Sequence, residues 1–328
     1  MVSAMRLLSG MRPTGRLHVG HLVGALNTWL SLQYEHDCLF MIADWHALTT
    51  SADTSKLTEN IIEMALDWRA LGIDFARSTV FVQSHVKEHA ELYLLFGMLT
   101  PMPWLERDPT LKKMMEDMHL HGANYGLMGY PVLQAADIAL YKADAVPVGV
   151  DQAPHIELAR EIIRAFNRRF LLIFPEPQAI LSHIPRLPGT DGRKMSKSLD
   201  NAVFLDEAPE NIRRKVMQLI TDPGKIHMTD PGDPDICSVQ DYHKAFRPED
   251  APQSDSDCRA GRLGCVRHKQ YLSEILTSYL APFREKRAAL KGLEAQTREM
   301  LLADGERARK VAARTMEEAR KAMNLQFP

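Results

Sequence analysis

The chain has no apolar run near the roughly 18 residues that a membrane-crossing helix needs, which excludes a transmembrane reading. It also has no net field of either sign: 40 Lys and Arg stand against 42 Asp and Glu, a formal charge of −2. Any contact with nucleic acid must therefore come from local basic patches. Cysteine is scarce, four in 328 residues and unevenly spread. That excludes a disulfide framework and favours a reducing cytoplasm, where clustered thiols are ligands more often than bridges. The segment from Met1 to Leu8 carries one arginine and too short an apolar stretch for an export signal. No internal repeat is present.

What remains is globular: 45% hydrophobic and 25% charged residues, with length for one large domain and a smaller one. Apolar runs of strand length at 6–8, 38–43 and 79–83 each meet a polar or glycine break and then a helical pattern, at 22–34 and 56–71 for the first two. This alternation predicts a parallel α/β sheet. Ligands of such sheets bind at the carboxyl ends of the strands, here Ser9 to Gly15, Asp44 to His46 and Ser84-His85. Residues 156–170 read as a further helix, and 174–192, rich in Pro and Gly, as a loop or domain edge. Beyond it, 209–220, 269–287 and 306–325 are helix-like, while 221–257 reads as irregular. Expected, then, is a Rossmann-like parallel-sheet catalytic domain over 1–190 and an all-helical domain over 191–328, whose last helix can pack back on the first.

Two short motifs carry chemistry. His18-Val19-Gly20-His21 lies between a Pro-Thr-Gly turn and an apolar helix. A helix amino end offers N–H groups and a positive dipole end to phosphate, Gly20 lets a purine approach the backbone, and two imidazoles can donate to phosphoryl oxygens. Two helix-capping histidines would give the same four letters. Lys194-Met195-Ser196-Lys197-Ser198 follows a glycine-bearing stretch, Pro188 to Arg193. Two lysines three apart on such a loop can neutralise the charge that grows on a pyrophosphate leaving group; an exposed basic loop is the bland alternative.

In this order and at this separation, the motifs resemble the HIGH and KMSKS signatures of Rossmann-class aminoacyl-tRNA synthetases. Ser9-Gly10-Met11-Arg12-Pro13-Thr14-Gly15, Asp44-Trp45-His46-Ala47, Tyr130 to Asp137, Val146 to Gln152 and Thr315 to Met323 are similar to successive segments of the tryptophanyl-tRNA synthetases. The resemblance implies ATP with Mg²⁺ as cofactor, tryptophan and tRNA(Trp) as substrates, a homodimer and a cytoplasmic enzyme. It implies that His18, His21, Lys194 and Lys197 act in catalysis. ATP would be held by Arg12, Thr14, Gly20, His21, Gly149, Asp151, Lys194, Met195, Ser196 and Lys197. Asp137 would accept the indole N–H, Tyr130 and Gln152 would hold the ammonium group, and Leu8, Val146 and Val148 would wall the ring beside His46 and Gln134. On pattern alone Asp137 could equally be a helix-surface acid. Arg12, Gln134 and Val150 stand where glutamine, methionine and glutamate are frequent in the family, so the polar network differs in detail. The tyrosine enzyme, an inactive tRNA-binding or redox-sensing relative, and another adenylyl transferase are the rival readings.

Cys258-x₆-Cys265-x₂-His268, preceded by Cys237, has ligand types and spacing for zinc or an iron–sulfur cluster. Some tryptophan enzymes resemble this region and carry a four-cysteine [4Fe–4S] site; here His268 takes the fourth place. Three reduced cysteines and a chance histidine are the alternative. Arg259, Arg262, Arg267, His268 and Lys269 form a basic cluster beside them, which the resemblance links to anticodon reading.

Overall fold

The structure is a computed structural model that describes residues 4–326 apart from 52, 118–121, 150–151 and 182–186. Five strands, β1 (Arg6–Met11), β2 (Asp37–Ile42), β3 (Thr79–Val82), β4 (Ala145–Val148) and β5 (Gln178–Leu181), form a parallel sheet in the order β3-β2-β1-β4-β5. The Rossmann-like expectation holds. In the register, Leu8 lies beside Leu39 and Met41 beside Phe81. Consecutive burial of Leu7 and Leu8, and of Cys38 to Ile42, follows from cover on both faces, which replaces alternation by unbroken apolar runs. Pro147 breaks that pattern in β4. It cannot donate to a ladder, and β4 pairs with β1 at Leu7 and Ala145 only, while the Ser9 hydroxyl donates to the Pro147 carbonyl at 3.0 Å.

Two compact units share the chain. The first comprises residues 1–15, 28–182 and 292–328, the second 16–27 and 183–291. The first holds the sheet and the helices α1 (Leu57–Leu71), α2 (Glu88–Gly97), α3 (Tyr125–Leu140) and α4 (Ala153–Arg169). Helix α1 ends where Gly72 adopts φ 106°, a left-handed cap that suits glycine. Helix α3 is buried nearly all round and contains Pro131.

The second unit is helical: α5 (Pro209–Gln218), α6 (Ser238–Phe246), α7 (Ala251–Arg259) and α8 (Cys265–Ala289). Two of these, α6 and α7, fall in the stretch read as irregular, where Asp, Pro and Ser obscure the period. The last helix, α9 (Glu294–Ala322), belongs to the first unit. Ala308, Ala312, Met316 and Ala319 seat it in the sheet's core at helical spacing, the three alanines permitting close approach. Asp304 of α9 accepts the Val80 N–H at 2.9 Å, and Arg320 pairs with Glu91.

Candidate active site

In the first unit, polar side chains converge beside the carboxyl ends of β1 to β4. Tyr130, Gln134 and Asp137 are spaced by four and three along α3 and so share a face. Asp137 is 1% exposed, which removes the surface-acid alternative. Its Oδ2 lies 2.7 Å from His46 Nε2, its Oδ1 2.6 Å from His89 Nδ1, and the Gln83 amide donates to both oxygens. Burial alone would raise its pKa, but His89 and His46 outweigh that and hold it at about 2. His89 is fixed from behind by the Tyr141 hydroxyl, 2.8 Å from Nε2. The result is a buried, ionised carboxylate whose roughly four acceptor directions are met by three donor groups, two imidazoles and the Gln83 amide.

A second buried network orients the other end of α3. The Tyr130 hydroxyl is 2.5 Å from His155 Nε2, the same nitrogen is 3.0 Å from Asp108 Oδ2, and His155 Nδ1 is 3.1 Å from Gln152 Oε1. Asp108 also accepts the Thr110 N–H at 2.9 Å, anchoring the helix Pro109–Asp117. Burial pushes the Tyr130 phenol up, so it stays protonated. Leu8 and Val146 are buried, and Val148 and Gln134 half-buried. Arg12 donates to the Thr50 hydroxyl at 3.2 Å, the Thr14 N–H to the Arg12 carbonyl, and the Gln152 N–H to the Gly149 carbonyl. Asp151 and Val150 lie outside the described residues. Gln83, His89, Asp108 and His155 were missed by sequence reasoning. The one available signal for the first two was their place at the end of β3 and one helical turn beyond it.

The second unit brings the two signature motifs together. His18 caps the short helix Val19–His21, and its N–H donates to His21 Nδ1 at 3.2 Å while the two rings stack at 3.6 Å. The turn continues as a π-helical stretch, Leu22–Leu26, an irregularity often found at functional sites. A Cβ on Gly20 would meet His18 Nδ1 at 2.9 Å and Met195 Sδ at 3.3 Å, so glycine is required where the second motif packs. Burial, helped by nearby Lys197, lowers the His18 pKa to about 4. A neutral imidazole at pH 7 can offer one N–H to an anion. In the loop, Pro188 bridges Lys194, Gly192 has φ 76°, Met195 is buried, and Lys194 is exposed.

The site expected at Cys237, Cys258, Cys265 and His268 is not supported by the geometry. Burial raises the thiols of Cys237 and Cys258, and each also senses Cys265, so the three are near one another. His268 is engaged by another histidine. Its Nε2 lies 2.8 Å from His243 Nδ1, His243 Nε2 lies 2.5 Å from Asp250 Oδ1, and the Tyr271 hydroxyl donates to Asp250. Among the described residues no group of three or more His, Cys, Asp or Glu is placed to hold a metal ion. With His268 engaged by His243, a zinc or iron–sulfur site at these three cysteines is not supported. The basic cluster also shrinks. Arg259 pairs with Asp235 and Asp255, Arg262 with Asp257, and Lys269 donates to the Met217 carbonyl, while Arg267 is exposed.

The sequence matches the family described as class I tRNA synthetases (W and Y) over residues 2–281. It is 44% identical to the tryptophan–tRNA ligase of Aquifex aeolicus and 47% identical to that of Thermotoga maritima, over 98% of this chain and 100% of each relative. It is similar to the structure of tryptophanyl-tRNA synthetase from Campylobacter jejuni complexed with ADP and tryptophan. That likeness has a TM-score of 0.83 at 34% identity, over 98% of this chain and 100% of that one.

Proposed function

This chain belongs to the class I tRNA synthetases for tryptophan and tyrosine, and from that membership we propose that it is a tryptophan–tRNA ligase using ATP. The observation that carries the choice of amino acid is the identity of 44% and 47% to two tryptophan–tRNA ligases over 98% of the chain, and Asp137, a buried carboxylate ionised at neutral pH, supplies an acceptor for the indole N–H. A substrate lacking a donor there sets an apolar edge against a buried charge, which is where polar sites discriminate strongly.

The reaction has two steps. The tryptophan carboxylate attacks the α-phosphorus of ATP in line, and the bond to the pyrophosphate breaks. The terminal ribose hydroxyl of tRNA(Trp) then attacks the carbonyl carbon of the adenylate, and AMP leaves. No protein nucleophile takes part, so rate comes from positioning and charge stabilisation. Tyr130 and Gln152 hold the ammonium group. His18, Gly20 and His21 receive the nucleotide together with Arg12, Thr14, Gly149 and Asp151, and Lys194 and Lys197, flanking Met195 and Ser196, neutralise the leaving pyrophosphate. Mg²⁺, when bound, screens the phosphate charges. Activation falls to the segment 1–190 with the loop bearing Lys194 and Lys197, and tRNA contact to the helical remainder of 191–328.

A homodimer is supported by Leu94, Met98 and Met102, exposed large apolar side chains at or near the end of α2. No helix among the described residues is long and apolar enough to cross a membrane, and a cytoplasmic enzyme is the reading that fits protein synthesis. Exchange of labelled pyrophosphate into ATP, run with tryptophan and with tyrosine, tests the proposal. Exchange with tryptophan alone is expected. Exchange with tyrosine would overturn the role of Asp137, and exchange with neither would bring forward a tRNA-binding relative without catalysis.

A further inference from the structure

We propose that Asn201 is a positioning residue that locks the loop bearing Lys194 and Lys197 to the segment bearing His18, so that both signatures are held by one strut. The inference rests on the reading of those residues as phosphate-handling groups. Asn201 is 2% exposed, and its side chain is used in both senses. Its Oδ1 accepts the Ser196 N–H at 2.7 Å, and its amide donates to the Lys194 carbonyl at 3.1 Å and to Asp191 Oδ1 at 2.8 Å. The backbone carbonyl of Asn201 accepts the Thr190 N–H at 2.9 Å. One short side chain therefore grips the loop on both sides of Met195.

The residues that follow Asn201 reach the other motif. The Val203 carbonyl accepts the Val19 N–H at 2.9 Å, Phe204 bridges His18, and the Leu205 N–H donates to the Leu17 carbonyl at 3.0 Å. This stretch is itself anchored. Lys215 donates to the Ala202 carbonyl at 2.8 Å and pairs with buried Glu207 at 2.6 Å. The Phe204 ring has the Arg16 guanidinium 4.1 Å and the Lys215 ammonium 4.6 Å from its centroid.

The surrounding sequence is fitted to Asn201. A Cβ on Gly189 would fall 2.3 Å from the Asn201 amide nitrogen. Aspartate could not replace it, because a carboxylate would face Asp191 and the Lys194 carbonyl with no proton to donate. Its task is specific to chemistry in which lysines must meet developing charge, where misplacement of about 1 Å costs on the order of 100-fold.

The test compares N201A, N201D and G189A, the last displacing the Asn201 amide without removing it, in tryptophan-dependent pyrophosphate exchange. Tryptophan affinity is measured separately by equilibrium dialysis. Expected is a fall of about 100-fold in kcat with a raised KM for ATP in all three, and tryptophan affinity within about twofold of the unaltered chain. Retention of kcat within about threefold in N201A would overturn the inference. So would a parallel loss of tryptophan binding in every variant, which marks general disruption and not positioning. Failure of the unaltered chain to exchange with any amino acid removes the functional reading, and the inference with it.

Discussion

Two clusters in this chain use nearly the same residue types, a buried one around Asp137 in the first unit and one around His268 in the second that ends on half-buried Asp250 and Tyr271. Each pairs two histidines with a carboxylate and a tyrosine. Around Asp137 the histidines and Gln83 all point at one carboxylate, which is buried and ionised. Around His268 the groups run in line, from His268 to His243 to Asp250 and Tyr271, and satisfy one another. The first arrangement concentrates charge at a point, and the second disperses it. A ligand site and a structural relay thus differ in convergence, which residue type does not reveal.

Four changes break or sharpen that contrast. The largest effect is expected from Asp137→Asn, which should lower kcat/KM for tryptophan on the order of 10³-fold in pyrophosphate exchange, since the charge-assisted acceptor is gone. A change under about tenfold would remove the carboxylate from substrate recognition. Next comes His155→Ala, which frees the Tyr130 hydroxyl and the Gln152 amide from their shared anchor. KM for tryptophan should rise roughly tenfold to a hundredfold, with kcat changed far less.

Acid should separate the clusters by stability. The folded-state pKa of His268 is depressed from 6.5 to about 4, so the unfolded chain binds the proton first and stability is lost as pH falls through that interval. Asp137 is depressed from 3.8 to about 2, so its contribution is complete above 3.8 and is lost only below it. Hydrogen exchange near pH 5 should find the amides around His268 in α8 less protected than at pH 7, with those around Asp137 in α3 unchanged. The smallest effect is expected from Cys258→Ser and Cys265→Ser, at about 1 kcal/mol or less, with exchange activity retained. Metal analysis of the purified chain should find no stoichiometric iron or zinc. A stoichiometric signal abolished by either serine would place a metal where the geometry argues against one.

How much of this could be read from the sequence depends on whether the signal is local. The first three strands were legible because cover on both faces leaves unbroken apolar runs. Strand β4 was hidden by Pro147, and β5 by its short and largely exposed face. Helix α3 was obscured because Gly126, Gly129 and Pro131 interrupt it, and burial all round erases the helical period. The signature motifs stood out because their chemistry is contiguous. Gln83, His89, Asp108 and His155 did not, because each gains its partner only when distant segments meet. The cysteines are the opposite case, a spacing that suggested a site the structure does not support. Spacing brought them near one another, but whether His268 turned toward them was decided by the packing of α8 against α6.

The docking of α9 on the sheet has a consequence for biosynthesis. Val80 and Asp304 are separated by 224 positions, so the face of β3 that α9 covers stays open to solvent until nearly the whole protein has left the ribosome. Folding of the first unit is therefore largely post-translational, and its apolar surface is exposed to aggregation throughout elongation. A premature stop between Ser198 and α9 would yield a chain with every signature residue present and the sheet of the first unit uncovered.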